Sequence, residues 1–473
     1  MLDEDVVLKF ARYTNERVLI INAFLMAILP AIFNGGNSMI AMCLIFSIGL
    51  IAPINVISYP RIWVDAQEYV RLKYFVSILP IAALLCLTIF RASTPAISEL
   101  YIEGEAFDYI SNFEEISLAF TDSFTAICAL ITLLALFAVG ASIYFITQSR
   151  FIIQTLISLC CAGVAILTFF GILSSLADYF EVPAVLGFFT SESFSTFDNA
   201  EDWAAFAFLW SCALFAVTIY TPQRFRLLNM LQSIRTLILA IATAIALSAL
   251  YTGSPIFKIF VCIELCIVFA VYASNTFPSE KNLKMHWRSA RSSRMPKRPL
   301  KEVILPFAMY SIIAIAFALL AFKFHASYRA FCSSDEGVAL ALERASLDQD
   351  TMEIIKERPL YGWGAASFPA VFALKQGDDV KMQKLETPSS DYLRARAEYG
   401  VLGIALVAII PLLLWLKVTL KNGISKSGII FASSIALILL YSYFSTPFLS
   451  VSVLASFWII FFCYLAWEKA EII

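Results

Sequence analysis

"TPSSDYLRARAEYGVLGIALVAII", residues 387–410, runs from a charged segment directly into an uncharged apolar one. Asp391, Arg394, Arg396 and Glu398 fall in the first part, and no charge follows Gly400. A membrane boundary requires such a junction, because charge inside hydrocarbon is costly. The whole chain agrees: of its 473 residues 60% are hydrophobic and 15% charged, with a mean hydropathy of +0.79. Soluble domains carry about a quarter charged residues. The expected fold class is an all-α polytopic membrane protein, not a soluble enzyme with an anchor.

A bilayer-spanning helix needs roughly 20 mostly apolar residues. That ruler gives twelve expected spans: 18–33, 38–57, 74–90, 124–146, 151–174, 203–220, 236–251, 256–273, 303–322, 400–416, 427–445 and 447–467. The seventh and eighth are spaced for a tight hairpin. Three blocks follow: 1–322 with nine spans and a basic loop at 274–302, a long loop at 323–399, and 400–473 with three spans.

Lys and Arg then give the orientation. With the N-terminus inside, the inner segments hold 22 of them, eight in 274–302. The short outer loops hold only Arg91, while 92–123 is acidic and 175–202 has no Lys or Arg. Both termini are therefore expected in the cytoplasm and 323–399 outside. The opening MLDEDVVLKFARYTNER lacks the compact basic-then-apolar form of a cleavable signal, so the first span is expected to act as an uncleaved one. The basic stretch 279–302 reads as an anchor against anionic headgroups rather than a protein-binding site. Ten cysteines show no disulfide framework or metal spacing; only Cys332 lies outside the spans.

A connection as long as 323–399 is usually functional. Within it "VALALERASLDQDTMEIIKERP" predicts a helix with Val338, Leu342, Ala345, Met352 and Ile355 on one apolar face, ended by Pro359. "LYGWGAASFP" predicts a glycine-rich turn with interfacial aromatics, and "KQGDDVKMQK" a polar excursion. In a helix beginning near Asp391, Ser389, Tyr392, Arg396 and Tyr399 share one face, while Asp391, Arg394 and Glu398 share another. Arg394 either forms i,i+3 and i,i+4 ion pairs there, worth a few tenths of about 1 kcal/mol each, or binds an anion. Arg396 has no acid on its face and suits a pyrophosphate, whose oxygens its planar fork can take in pairs. Arg344 is either a surface arginine or an anion ligand.

Two charges fall in the eighth span. Lys258 is close enough to the boundary to snorkel. Glu264 is deeper, and is either functional or protonated and hydrogen-bonded to a neighbouring helix. His286 and His325 support neither a Ser-His-Asp arrangement nor a metal site.

In this order the blocks resemble the O-antigen ligase and polymerase superfamily. Pro359, Leu360, Gly362, Gly364 and Phe368 fit that family's "PLxGxGxxxF" turn. Tyr392, Leu393, Ala397, Glu398, Gly400 and Gly403 fit its second block. "FDNAEDWAAF", 197–206, is similar to the Asn-containing start of its sixth span, and "YTGS", 251–254, to its outer Thr-x-Ser turn. The match is scattered over roughly residues 160–420.

The resemblance implies a GT-C-like fold of about twelve transmembrane helices in the bacterial inner membrane, with a large helical periplasmic loop between spans nine and ten. It also implies transfer of a glycan from an undecaprenyl-pyrophosphate carrier to an acceptor glycan or lipid A–core, building O-antigen, capsule or exopolysaccharide. No metal or other cofactor is expected, because lipid pyrophosphate is already a good leaving group. Arginines would neutralise the charge developing on it, and a base would deprotonate the acceptor hydroxyl. Further expected partners are membrane lipids, with chain-length regulator and flippase proteins as candidates, and no nucleic acid.

Arg344 matches a family arginine, making it a catalytic candidate beside the possible bases Asp391 and Glu398. Arg396, Arg394 and Lys258 are the candidate pyrophosphate ligands. Tyr392, Trp363, Gly362 and Gly364 are expected to contact glycan or build the turn. The family's histidine and asparagine positions hold Ser389 and Ser390 here, and Pro255 stands where an arginine is expected. The base is thus open among Asp391, Glu398 and Glu264. The alternative is a noncatalytic ligase-like assembly factor or a lipid-linked glycan transporter.

Overall fold

The computed structural model describes residues 4–33, 39–59, 64–91, 97–102, 105–110, 123–179, 194–219, 234–276, 301–375 and 388–470. The polar excursion 375–384 and the basic stretch 279–302 fall almost wholly outside them. The helices are α1 (Glu4–Ile32), α2 (Met39–Ser58), α3 (Val64–Arg91), α4 (Ser123–Ile146), α5 (Arg150–Tyr179), α6 (Ala200–Thr218) and α7 (Ile234–Thr252). They continue as α8 (Pro255–Thr276), α9 (Lys301–Cys332), α10 (Asp335–Glu357), α11 (Phe368–Lys375), α12 (Asp391–Asn422), α13 (Lys426–Tyr441) and α14 (Val451–Lys469). Between α3 and α4 a two-stranded antiparallel hairpin, β1 (Ile97–Ile102) with β2 (Glu105–Ile110), pairs Ile97 with Ile110 and Ile102 with Glu105.

Eleven of these helices, all except α10, α11 and α13, are long and apolar enough to cross a membrane. This is the architecture of a polytopic membrane protein. The eleventh expected span, 427–445, is instead a helix of 16 residues. It stops at Tyr441 because Ser442–Phe444 fold back onto its last carbonyls: Ser442 N–H donates to Ile438 O (3.0 Å) and Phe444 N–H to Tyr441 O (2.8 Å).

Helices α4, α6 and α14 form the buried centre, while α9 and α12 are mostly exposed. Lipid tails are as apolar as leucine, so close packing and interhelical hydrogen bonds must hold such a bundle. Gly140 on α4 admits Phe462 of α14, whose ring would lie 2.5 Å from an added Cβ. Phe137 meets Trp458 and Phe462 edge-on, each at 5.2 Å between centroids. Trp210 on α6 donates its indole N–H to Ser456 Oγ (2.9 Å) on α14. Helices α7 and α8 are joined by two residues but diverge, α7 packing mainly along α6 and α8 along α9.

The loop helix α10 corrects the expected apolar face. Val338, Leu342, Ala345 and Met352 are exposed, and of that set only Ile355 is buried. The buried face is Leu347, Thr351, Ile354 and Ile355. Apolar residues occur on both sides of this helix, so spacing alone does not choose between them. The face that Trp363, Phe368, Val371, Phe372 and Ala397 can reach forms a small separate core. Ser334 caps α10, accepting from Gly337 N–H (3.2 Å), and the helix ends before Pro359, which disfavours helical backbone in the residue preceding it.

The two glycine-bearing blocks interlock. Gly400 (φ +61°, ψ −174°) breaks α12 into 391–399 and the helix beyond it. Into that break fits the turn 359–364. Trp363 N–H donates to Ala397 O and Gly364 N–H to Glu398 O, both at 2.8 Å. In return Val401 N–H donates to Pro359 O (3.1 Å) and Leu402 N–H to Leu360 O (3.0 Å). Gly362 (φ +69°) and Gly400 both sit in the left-handed region, and a Cβ on either would strike a carbonyl of the other segment. Glycine is required here by conformation and by space.

Candidate functional site

The start of α6, the α7–α8 turn, the start of α12 and the turn after α13 meet at the end of the bundle that carries α10. Tyr441 on α13 donates its hydroxyl to Glu201 Oε2 (3.1 Å) on α6 and lies 3.1 Å from Ser254 Oγ in the α7–α8 turn. Asn199 caps α6 by accepting from Glu201 N–H. Asp391 ties in α12: its N–H donates to Ser442 O (3.0 Å), and its Oδ2 accepts from Phe448 N–H (2.9 Å). Asp202 stands in the field of both Glu201 and Asp391. The segments 197–206, 251–254 and 388–398, far apart in sequence, therefore share one polar cluster.

Arg344 fastens the loop to this cluster. Its Nη2 donates to Ser389 O (2.8 Å) and to Phe444 O (2.5 Å), joining α10 to the start of α12 and to the turn after α13. Nε and Nη1 have no hydrogen-bond partner among the described residues. Ser389 and Ser390 are both engaged. Ser389 donates to Asp348 on α10, and Ser390 caps α12 by accepting from Leu393 N–H (3.3 Å).

Arg394 makes the ion pairs its spacing allows: Nε donates to Glu398 Oε1 (3.3 Å), and Nη1 lies 3.9 Å from Asp391 Oδ1. Arg396, on the opposite face, is exposed and has no partner among the described residues. Tyr392 beside it is half exposed, donates to Leu439 O (2.9 Å) and lies 6.4 Å from the Tyr443 ring. Lys258, half-buried on α8, has no side-chain partner among the described residues.

Glu398 is buried and lines a cavity of about 170 Å³ whose other walls include Leu84 and Leu87 of α3, Leu130 of α4, and Tyr361 and Leu402. Its Oε2 has no hydrogen-bond partner among the described residues. Trp363 is fully enclosed in the loop core, donating to Ile354 O (3.0 Å) under the Arg358 guanidinium, 4.2 Å from its ring. It builds the turn and offers no surface to a glycan. Burial pulls the Arg358 pKa below its ordinary value, although an arginine stays charged at neutral pH. Glu264 lies far from this cluster, buried between α8 and α13, where Ser433 Oγ donates to its Oε1 (2.9 Å). No group of three or more His, Cys, Asp or Glu is placed to hold a metal among the described residues.

Asp202, Glu201 and Tyr441 are not among the residues singled out by the sequence alone. The signal was present in "FDNAEDWAAF", where two acids follow a helix cap at the edge of an apolar run. Neither any protein-family model nor any curated protein sequence matches the chain.

Proposed function

We propose that this protein transfers a glycan from an undecaprenyl-pyrophosphate carrier to an acceptor at the periplasmic face of the bacterial inner membrane, polymerising or ligating a surface polysaccharide. The observation that carries this reading is the convergence of 197–206, 251–254 and 388–398, the segments that bear the resemblance, on one cluster of carboxylates and cations. The expected GT-C-like arrangement would set α10 and α11 as the periplasmic loop above that cluster.

In this reading Arg396 and Lys258, which have no partner among the described residues, meet the pyrophosphate, and Arg344 adds the two donor groups left without a partner among those residues while holding the loop in place. Arg394 serves indirectly by holding Asp391 and Glu398. A carboxylate takes the proton from the acceptor hydroxyl as its oxygen bonds the anomeric carbon. The carbon–oxygen bond to the carrier breaks, and the lipid pyrophosphate leaves with charge balanced by the cations. Asp391 anchors the Phe448 amide and Glu398 holds Arg394, so Asp202 is the carboxylate best free to act as base.

A second reading, a noncatalytic assembly factor, draws on the serines: Ser389 and Ser390 are structural at the positions where the family carries its histidine and asparagine. Purified protein in nanodiscs with carrier-linked repeat units, with and without lipid A–core, separates these readings. A ladder without lipid A–core identifies a polymerase. Product only after its addition identifies a ligase. No product in either, with carrier retained, supports the assembly factor and refutes the enzymatic proposal.

A further inference from the structure

At the opposite end of the bundle the ends of α4, α12 and α14 meet the starts of α5 and α13 around a cavity of about 650 Å³. Helices α13 and α14, of 16 and 19 residues, run between the two ends and so separate them by about 24–28 Å. Four cations line this cavity: Arg150, Lys417, Lys421 and Lys469. Two are held in position by the protein. Arg150 Nε donates to Trp467 O (3.2 Å), with its guanidinium 5.3 Å from the Trp467 ring. Lys469 Nζ donates to Tyr144 O (2.9 Å) and lies 4.6 Å from that ring. Lys417 and Lys421 are exposed on the last turns of α12 and have no partner among the described residues.

Among the described residues Glu468 is the acid that lines the cavity, and its carboxylate is already engaged. Its Oε1 accepts from both Ser425 N–H (3.1 Å) and Ser425 Oγ (2.7 Å) at the N-terminus of α13. There the positive end of the helix dipole compensates its charge. Gly428 has no side chain in this position, and a Cβ there would strike the same carboxylate. Lys417 and Lys421 add two positive charges to the cavity wall with no partner among the described residues; the repulsion between like charges there is relieved when an anion enters, and basic pockets between helices at a membrane surface fit phosphate headgroups.

We propose that this cavity binds a phosphate-bearing anion, the headgroup of an anionic phospholipid or a soluble phosphate. The Lys and Arg asymmetry assigns this end to the cytoplasmic surface, away from the proposed glycan chemistry. Neither a lipid-linked glycan nor an acceptor is needed for it.

The test compares the full-length protein with a Lys417→Gln/Lys421→Gln variant and a Lys323→Gln/Arg329→Gln control, which removes two exposed charges elsewhere. One arm counts phosphatidylglycerol retained by native mass spectrometry from mixed phosphatidylglycerol–phosphatidylcholine nanodiscs. The other titrates inorganic phosphate by calorimetry in pure phosphatidylcholine nanodiscs. Loss of about ten- to thirtyfold in affinity for the cavity variant alone is expected in one arm. Loss in the lipid arm identifies a headgroup site, and loss in the phosphate arm a soluble anion. Equal behaviour of cavity variant and wild type in both arms, or no binding by wild type in either, would overturn the proposal. Melting temperatures of the three proteins confirm that each is folded.

Discussion

The two ends of the bundle differ in how much of their charge is paired internally. At the loop end Arg344 bridges two backbone carbonyls, Asp391 holds the Phe448 amide, and Arg394 joins Asp391 to Glu398. At the other end Lys417 and Lys421 on α12 have no partner among the described residues, and the nearby Glu468 is engaged by Ser425. Internal pairing fixes geometry, while unpaired like charges leave binding capacity. Stability should therefore depend on the first end far more than on the second, and ligand affinity should depend on both.

The largest effect is expected at the interlocked turn. Gly400→Ala places a Cβ against the Leu360 carbonyl at a left-handed φ, and should destabilise the protein by about 3 kcal/mol or more. A sharp fall in melting temperature and yield would show it; an unchanged melting temperature would mean that the break in α12 is not fixed by this contact. Arg344→Ala comes next, because it leaves the carbonyls of Ser389 and Phe444 without their donor, at a cost of about 1–3 kcal/mol. Chemical denaturation measures it, and Arg344→Lys should recover part of the loss.

A smaller term is the coupling between Arg394 and Glu398. A double-mutant cycle with Arg394→Gln and Glu398→Gln should give about 0.5–3 kcal/mol, and a value near zero would remove the pair from the account. Smallest of all, Lys417→Gln/Lys421→Gln should change stability by no more than about 0.5 kcal/mol. A larger loss would show that these lysines are structural, and would end the contrast between the two ends.

The spans were legible because hydropathy over a fixed length is a physical requirement of the bilayer. The ion pairs of Arg394 were legible as well, since residues three and four apart on a helix are neighbours by geometry. What escaped depended on contacts between distant segments. The buried face of α10 is not fixed by its own spacing, because Trp363 and Phe368, from the following turn, decide which side is buried. The end of α13 at Tyr441 is hidden in the sequence because the return of Ser442–Phe444 onto that helix leaves no mark in hydropathy. The place of Asp202 in the cluster is not legible in the sequence because its neighbour Asp391 lies 189 positions along the chain, nor is the β1–β2 hairpin, because hydropathy marks spans and not short strands. The pairing of "PLYGWG" with "AEYGVLG" was visible as two motifs, but that each glycine exists to admit the other segment's carbonyl emerges only from their packing.

The central claim is that the loop end performs the chemistry, and its most direct test is product formation from carrier-linked repeats by Asp202→Asn beside wild type in the same nanodiscs. A loss of about a hundredfold is expected for Asp202→Asn at equal protein and melting temperature, with Lys323→Gln/Arg329→Gln unaffected. Equal product from Asp202→Asn and wild type would contradict it.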